Sequence, residues 1–279
     1  MYIFRKVAPL QAFIQQLKTE GKTVGFAPTM GALHQGHLSL IQQSKQENDY
    51  TVCSIFVNPT QFNDADDLVK YPRTIEQDLD LLSSADNDIV FLPDVEDVYP
   101  TDLDTTVDLD LGSLAQFMEG EHRPGHFAGV VQVVKRLLDI VQPHRLYMGQ
   151  KDYQQYCIIR YMAEQLKLEV DVVRCEIVRE ESGLAMSSRN VRLTADQREK
   201  ASLISKILNQ TKVNITTLSI DEIKQQAIKQ LDIPEFKLDY FEIVDGKSLL
   251  PIKQLTDSVV ACTAVFVGEV RLIDNIILV

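Results

Sequence analysis

Residues 23–41 decide the fold, and they read Thr23-Val-Gly-Phe-Ala-Pro-Thr-Met-Gly-Ala-Leu-His-Gln-Gly-His-Leu-Ser-Leu-Ile41. The apolar run at 23–27 predicts a buried strand that Pro28 ends, and the apolar residues that follow His37 predict a helix. Gly31 and Gly36 indicate a tight connection between the strand and the helix. This order of elements presents free backbone N–H groups and the positive end of a helix dipole. The stretch therefore predicts an anion-binding site.

Two histidines stand three residues apart in this stretch, in the sequence His34-Gln-Gly-His37. Gly36 removes a side chain that would block the approach of a phosphate, so both imidazoles can point at one group. His-x-Gly-His after a first strand resembles the nucleotidyl-transferase superfamily, where this motif holds the phosphates of ATP while an oxygen attacks the α-phosphorus. The four residues alone leave open the alternative of two surface histidines at the start of a helix.

Length and charge restrict the classes of protein to consider. The chain has 279 residues, which favours two domains over one. Hydrophobic residues make up 45% and charged residues 24%, which is typical of a globular protein that buries a large core. The net charge of −12 argues against a nucleic-acid or anionic-membrane partner, because phosphate backbones need clustered Lys and Arg. A local basic pocket for one nucleotide is compatible with this charge.

The cysteines and the first residues of the chain indicate the cellular compartment in which the protein is expected. Cys53, Cys157, Cys175 and Cys262 lie far apart in apolar runs and lack the spacing of metal ligands. They are predicted to be buried free thiols in a reducing compartment. The first residues show no signal peptide, and no segment approaches the ~20 apolar residues of a membrane helix. The sequence therefore predicts a cytoplasmic protein.

The first part of the chain alternates predicted strands and helices. The strands after the first lie at 51–57, 88–92, 145–148 and 168–173, and the helices at 9–18, 74–85, 127–141 and 153–166. This alternation predicts an α/β fold, with a Rossmann-like doubly wound parallel sheet. Ligands of such sheets bind outside the carboxyl ends of the strands. In the polar turn at 58–63, Asn58 and Gln61 are therefore candidates to meet a ligand, the alternative being a simple Asn-Pro turn.

The chain changes character near Glu176. A polar loop at 177–190 is too long for a simple connection, which is typical of a functional loop. Helices predicted at 195–210 and 220–231, the first capped by Thr194 and Gln197, precede strands predicted at 238–244, 258–267 and 270–279. Helices followed by strands predict a separate α+β domain. We therefore expect a Rossmann-like catalytic domain at 1–176 and a smaller C-terminal domain of helices and an antiparallel sheet at 177–279.

Two further segments suit phosphate chemistry. Lys151 follows the predicted strand at 145–148, where it is placed to contact a phosphate as a mobile point charge. Ser187, Ser188 and Arg189 offer two hydroxyls and a guanidinium, which together fit a triphosphate. Both segments support an ATP site.

Five sequence blocks now stand in order. They are Pro28-Thr-Met-Gly-Ala-Leu-His-Gln-Gly-His37, Phe56-Val-Asn-Pro-Thr-Gln-Phe62, Arg123-Pro-Gly-His-Phe127, Gly149-Gln-Lys-Asp-Tyr-Gln-Gln155 and Gly183-Leu-Ala-Met-Ser-Ser-Arg-Asn190. Together they resemble the pantothenate synthetase (pantoate–β-alanine ligase) family, within the nucleotidyl-transferase superfamily that carries His-x-Gly-His. The resemblance is detailed over residues 1–193, whereas the second domain fits only in size and order. Met148 and Gln150 depart from the Phe and Glu frequent in the family, but Lys151 and Asp152 are kept.

The resemblance implies an AMP-forming ligase of enzyme class 6. ATP and (R)-pantoate would give pantoyl adenylate and pyrophosphate, and the amine of β-alanine would then release pantothenate and AMP. It also implies Mg²⁺ bound through the ATP phosphates, with no protein metal site, and a homodimer. The domain at 1–176 would bind ATP and pantoate, and the domain at 177–279 would act as a lid.

The resemblance also implies roles for single residues. His37, His34, Lys151 and Arg189 would be catalytic, with His37 the candidate proton donor. Gln61 and Gln155 would bind pantoate, and Gln61 would also meet β-alanine. The expected ATP-binding residues are Met30, Gly31, Ala32, Leu33, His34, Gln35, Gly36, His37, Gly149, Gln150, Lys151, Asp152, Val178, Met186, Ser187, Ser188 and Arg189.

Several residues keep two interpretations. His122 and His144 are expected on the surface, and His126 either lines the pocket or only starts a helix. Met30 either contacts ATP through its backbone or packs in the core, while Glu119 and Arg123 could form a structural ion pair.

Two other functions compete with the ligase. A cytidylyl- or adenylyl-transferase of the same superfamily would share the histidines but would not need Gln61 and Gln155. A non-catalytic binding protein of this fold would be favoured by loss of His37 or Lys151, and both are present.

Overall fold

The computed structural model describes residues 1–62 and 65–279, without the side chains of residues 65–67. Asn63, the last residue of the predicted polar turn, lies outside the described residues. The chain divides into two compact units. Unit 1 comprises Met1–Asp110, Arg123–Gly149 and Ile158–Glu176, and unit 2 comprises Leu111–His122, Gln150–Cys157 and Ile177–Val279. The division at 176/177 and the lid role of the second domain stay predictions.

Unit 1 is built on a six-stranded sheet. Its strands are β1 Tyr2–Phe4, β2 Val24–Thr29, β3 Tyr50–Ile55, β4 Ile89–Phe91, β5 Arg145–Gly149 and β6 Asp171–Cys175. They lie in the order β1-β4-β3-β2-β5-β6, and every pair is parallel. The order reverses between β2 and β5, so the topological switch point, where such sheets bind ligands, lies at their carboxyl ends. The prediction of an α/β fold with a doubly wound parallel sheet is confirmed.

The helices predicted from the sequence are present, together with three short helices at 65–70, 95–98 and 119–122 that the sequence did not predict. They are α1 Val7–Thr19, α2 Gln35–Glu47, α3 Ala65–Lys70, α4 Ile75–Ser84, α5 Val95–Val98, α6 Glu119–His122, α7 His126–Val141, α8 Tyr153–Gln165, α9 Ala195–Asn214 and α10 Ile220–Leu231. Helix α2 packs on β2, β3 and β5, and its buried residues include Leu38, Leu40 and Ile41. The predicted capping box of α9 is present, since Thr194 and Gln197 exchange side-chain and backbone hydrogen bonds.

The predicted end of β2 is wrong, because β2 continues through Pro28 to Thr29. The N–H of His144 donates to the carbonyl of Val24 on the β5 side, and the N–H of Phe56 donates to the carbonyl of Thr29 on the β3 side. Since these directions alternate along a strand, Pro28 faces β5, whose pairing with β2 ends at Phe26. The missing N–H of proline therefore costs no ladder hydrogen bond.

Unit 2 contains an antiparallel sheet and two long helices. Its strands are β7 Phe236–Asp245, β8 Val259–Val267 and β9 Val270–Ile277, in the order β7-β8-β9. Helix α10 packs on β7, and α9 packs on β8 and β9. Buried residues of these elements, such as Leu208, Ile223 and Val265, form one apolar core. The predicted small antiparallel sheet with helices is confirmed.

Two further predictions concern the state of the cysteines and the presence of membrane-spanning helices. All four cysteines lie among the described residues and are buried thiols outside any disulfide, as predicted. Over the same part of the chain, no helix has the length and apolar character needed to cross a membrane.

Candidate active site

The loop that follows β2 is held by a buried carboxylate. Asp78, on α4, accepts the N–H of Ala32 at 2.9 Å and the N–H of Leu33 at 2.8 Å, and is 1% exposed. The hydroxyl of Thr74 donates to the same carboxylate at 3.2 Å. Ala32 has a φ of 49°, a left-handed conformation that non-glycine residues rarely adopt. Hydrogen bonds to Asp78 therefore hold the loop at 31–33 in a conformation that its sequence alone would not favour.

The two motif histidines form the N-terminal cap of α2. Nδ1 of His34 accepts the N–H of Gly36 at 3.1 Å, and Nδ1 of His37 accepts the N–H of His34 at 3.3 Å. The two rings lie with centroids 4.0 Å apart. Because Nδ1 is an acceptor in both rings, the proton of each neutral imidazole is on Nε2. The motif thus provides two imidazole N–H donors at the N-terminus of a 13-residue helix.

The turn after β3 fixes the side chain of Gln61. Asn58, which is buried, donates from Nδ2 to Oε1 of Gln61 at 3.2 Å and accepts the hydroxyl of Tyr99 at 2.9 Å. Nε2 of Gln61 donates to Sδ of Met30 at 3.0 Å. Nδ1 of His126, at the start of α7, lies 2.8 Å from the carbonyl oxygen of Gln61. The amide of Gln61 is therefore oriented toward the loop that carries the histidines.

A cavity of about 210 Å³ opens at the carboxyl ends of β2, β3 and β4. Its lining includes Met30, Phe56, Arg73, Asp78 and Asp94. The cavity thus lies at the edge of the sheet where parallel α/β sheets bind their ligands.

In unit 2, Lys151 and Asp152 belong to a short 3₁₀ turn, Gln150–Asp152, that leads directly into α8. Gln154 in the first turn of α8 is buried and donates to the carbonyls of Leu114 and Phe117. The next residue, Gln155, is partly exposed, as is Lys151. The start of α8 is thus anchored while Lys151 and Gln155 keep contact with solvent.

The segment of the predicted triphosphate clamp is also ordered within unit 2. Ser187 caps the 3₁₀ turn Ser188–Arg192, accepting the N–H of Arg189 on its hydroxyl at 3.2 Å. The buried Asn190 donates to the carbonyl of Ala185 at 3.1 Å and to Glu180 at 2.9 Å. These contacts fix both ends of the residues that would bind the phosphates.

The other polar residues have structural partners. His144 accepts the N–H of Val24 on Nδ1, and His122 pairs with Asp239 at 2.8 Å. Glu119 is buried and forms a two-bond ion pair with Arg271 at 2.7 and 2.8 Å. Arg123 contacts Nε2 of His126 at 3.1 Å. His126 therefore both starts α7 and supports the turn of Gln61.

The predicted site residues fall in both units. Unit 1 holds Met30 to His37, Gln61 and Gly149, and unit 2 holds Gln150, Lys151, Asp152, Gln155, Val178 and Met186 to Arg189. The sequence interpretation missed Asp78. Its signal was a carboxylate four residues before the buried Leu82, on the buried face of α4.

A family model described as pantoate-beta-alanine ligase matches residues 2–277. This chain belongs to the pantoate–β-alanine ligase family. A pantothenate synthetase of Porphyromonas gingivalis is 50% identical over 279 residues, with 99% of each chain covered. One of Bacteroides fragilis is 48% identical over 281 residues, with 99% of this chain and 98% of the other covered.

Solved structures of the same family share the fold. The pantothenate synthetase of Thermus thermophilus matches with a TM-score of 0.93 and 41% identity, with 99% of both chains covered. A pantoate-beta-alanine ligase of Francisella tularensis, complexed with beta-gamma ATP and beta-alanine, matches with a TM-score of 0.83 and 36% identity. That match covers 99% of this chain and 97% of the other. The family resemblance inferred from the five sequence blocks is confirmed.

Proposed function

We propose that this enzyme condenses (R)-pantoate with β-alanine at the expense of ATP, giving pantothenate, AMP and pyrophosphate through pantoyl adenylate. Family membership over nearly the whole chain supports this reaction. The observation that carries the chemistry is the histidine cap of α2, because it places two imidazoles, with ring centroids 4.0 Å apart, at the N-terminus of a 13-residue helix, where anions are favoured.

The first step joins a carboxylate oxygen of pantoate to the α-phosphorus of ATP and breaks the bond to the β-phosphate oxygen. The carboxylate is ionised at neutral pH, so it attacks without a general base. What the step requires is alignment and stabilisation of negative charge on the α-phosphate and the departing pyrophosphate. His34 and His37 donate to the phosphates, and Lys151 stabilises the charge of the transition state. His37 is the candidate proton donor.

The second step forms the amide bond. The free amine of β-alanine attacks the acyl carbon of the adenylate, the acyl C–O bond breaks, and AMP leaves with the electron pair. The amine loses its proton in this step, and the phosphate of AMP or solvent accepts it. Gln61 is proposed to meet both pantoate and β-alanine, and its fixed amide, held by Asn58 and Met30, supports that role.

The remaining contacts are proposed from the family resemblance. Gln155 binds pantoate together with Gln61, and the backbone of the segment Met30 to Gly36 approaches the nucleotide. Gly149, Gln150, Asp152 and Val178 hold adenosine, with Asp152 on the ribose hydroxyls. Ser187, Ser188 and Arg189, next to Met186, bind the β- and γ-phosphates.

Mg²⁺ is proposed to enter with ATP. Among the described residues, no group of three or more His, Cys, Asp or Glu is arranged to hold a metal ion. We propose that phosphate oxygens and water carry the ion, which is how Mg²⁺ commonly binds in ATP-dependent enzymes. A homodimer, a cytoplasmic location and a lid role for residues 177–279 complete the proposal.

The test is pyrophosphate–ATP exchange with Mg²⁺, pantoate present and β-alanine absent. We expect exchange that depends on pantoate, because only adenylate formation returns labelled pyrophosphate to ATP. Exchange that ignores pantoate but requires a phosphorylated acceptor would identify a nucleotidyl-transferase instead. Absence of exchange from folded protein, with and without β-alanine, would contradict the proposal and favour a binding protein.

A further inference from the structure

Strand β9 carries a buried asparagine that is bonded to the lysine turn. Asn275 is 2% exposed, and its Nδ2 donates to the carbonyl oxygens of Gln150 and Lys151, both at 2.9 Å. Its Oδ1 accepts Nε2 of Gln150 at 3.2 Å. The two bonds that Asn275 donates therefore fix the backbone from which the Lys151 side chain extends, and the bond that it accepts fixes the side chain of Gln150.

The preceding residue of β9 is bonded to a different loop. Asp274, 4% exposed, binds Arg179 through two hydrogen bonds of 2.6 and 3.0 Å. Nη1 of Arg179 also donates to the carbonyl of Gly183 at 3.1 Å. Burial raises the pKa of the Asp274 carboxyl, while the charges of Arg179 and, less strongly, Lys151 act to lower it. Arg179 and, more weakly, Lys151 thus act electrostatically on the same carboxylate.

The loop bound by Arg179 leads directly to the phosphate-binding segment. Arg179 pairs with Ala185 in an antiparallel bridge, and the N–H of Met186 donates to the carbonyl of Val178 at 3.0 Å. Ser187 follows at once. Adjacent side chains of a strand leave it on opposite sides, which allows two consecutive residues to bind two separate loops.

We propose that Asn275 and Asp274 are positioning residues that hold the Lys151 turn and the loop before Ser187 in register with one strand. Asn275 sets the position of the Lys151 ammonium, and Asp274 sets the entry to the segment Ser187 to Arg189 through Arg179. This inference rests on the proposed function, since it assumes that both segments bind the phosphates of ATP. It assigns a role in catalysis to β9, outside the five sequence blocks.

The test compares Asn275→Ala, Lys151→Ala and the double variant in pantoate-dependent pyrophosphate exchange. We expect Asn275→Ala to lower kcat about 10- to 100-fold, because a misplacement near 1 Å can cost that much. If Asn275 acts through Lys151, the double variant will be no more than about 3-fold slower than Lys151→Ala. A merely structural role predicts that the two losses multiply instead.

Asn87→Ala is the matched control. Asn87 is also buried, and its Nδ2 donates to the carbonyl of Ile89 at 2.9 Å within unit 1, whereas Lys151 belongs to unit 2. It should lower the midpoint of thermal unfolding while leaving kcat within about 2-fold of the wild type. Asn275→Ser, a milder change, serves if Asn275→Ala does not fold.

Three results would overturn the inference. They are an exchange rate of Asn275→Ala equal to that of Asn87→Ala, multiplying losses in the double variant, and failure of both Asn275 variants to fold. Wild-type protein without pantoate-dependent exchange would instead contradict the proposed function, so the two failures are distinguishable.

Discussion

The backbone N–H of Ala32 donates to Oδ2 of Asp78 over 2.9 Å, although 46 positions separate the two residues in the chain. Oδ1 of the same carboxylate accepts the N–H of Leu33. One buried side chain of α4 thus satisfies two consecutive N–H groups of the loop that precedes His34. The loop needs this support because Ala32 has a left-handed backbone.

We expect Asp78→Asn to disturb this loop. Asparagine keeps the shape but presents one oxygen to two N–H groups, so the free energy of unfolding should fall by about 1–3 kcal/mol. The KM for ATP should rise several-fold, because a shift of this loop in the variant would move His34 out of place. Urea unfolding and pyrophosphate exchange at varied ATP measure the two effects.

Asp88→Asn is the control for this prediction, since Asp88 accepts the N–H of Thr51 at 2.7 Å and binds Lys45. It should lose stability with an unchanged KM for ATP. Equal KM values for Asp78→Asn and the wild type would contradict a positioning role for Asp78.

His37→Ala should lower kcat about 10²–10³-fold, the usual effect of removing one transition-state donor. The side chain also caps α2, so some stability is lost with it. Gln197→Ala separates the two effects, because Gln197 occupies the same N3 position in the capping box of α9. A Gln197→Ala variant that loses activity as His37→Ala does would show that capping, not donation, accounts for the loss.

Local patterns predicted most of the fold. The period of apolar residues located α7 and α10 within a residue or two, and the alternation of elements predicted the parallel sheet. Strand β1 was missed because its three residues form a strand only by pairing with β4. The end of β2 was misplaced because the cost of Pro28 depends on which neighbour its missing N–H would face.

The site was predictable where chemistry is carried by short motifs. His34, His37 and Lys151 stand in such motifs. By contrast, Asp78 binds backbone groups at least 45 positions away in the chain, and Asn275 binds backbone groups at least 124 positions away. The sequence near Asp78 indicates that its carboxylate lies on the buried face of a helix, but the sequence near neither residue indicates which backbone groups it binds. Such partners emerge only when packing brings distant segments together.

Breaking the buried ion pair of Glu119 and Arg271 should strongly destabilise the enzyme. Arg271 binds both Glu119 and Asp239, so Arg271→Met removes this cation from the buried Glu119, while Asp239 keeps its contact with His122, and should cost about 3–5 kcal/mol. Lys135→Met breaks the exposed pair with Asp139 and should cost about 0.5 kcal/mol or less. Urea unfolding of both variants measures the difference, and similar losses would show that burial adds little to the Arg271 pair.

The carboxyl group of Asp245 should make the free energy of unfolding depend on pH. Partial burial acts to raise its pKa, but hydrogen bonds from Ser248, Thr256 and Lys247 outweigh it and lower the pKa to about 2. An ordinary aspartate titrates near 3.9, so the folded state gains stability above that pH and loses it as the pH falls toward 2. Since solvent screens this partly exposed group, we expect about 1 kcal/mol.

Asp245→Asn removes this carboxylate. The stability difference from the wild type should be full at pH 6 and shrink between pH 4 and pH 2, as followed by urea unfolding. A difference that stays constant over this range would contradict the lowered pKa.

Gln61→Ala should weaken the binding of pantoate more than the binding of ATP. The amide of Gln61, held by Asn58 and Met30, is proposed to donate to the pantoate carboxylate, and a hydrogen bond to a charged group contributes about 1.5–3 kcal/mol. The KM for pantoate in pyrophosphate exchange should therefore rise at least 10-fold, while the KM for ATP changes less than about 2-fold.

Two further variants sharpen the assignment of Gln61. Gln61→Glu should raise the KM for pantoate further, because its carboxylate repels that of the substrate. Gln43→Ala, which removes a surface glutamine bonded to Glu47, should change neither KM. If both KM values rise equally in Gln61→Ala, the residue supports the loop of Met30 and His34 rather than binding pantoate. That outcome would leave Gln155 as the amide to test next, because it is the other glutamine proposed to bind pantoate.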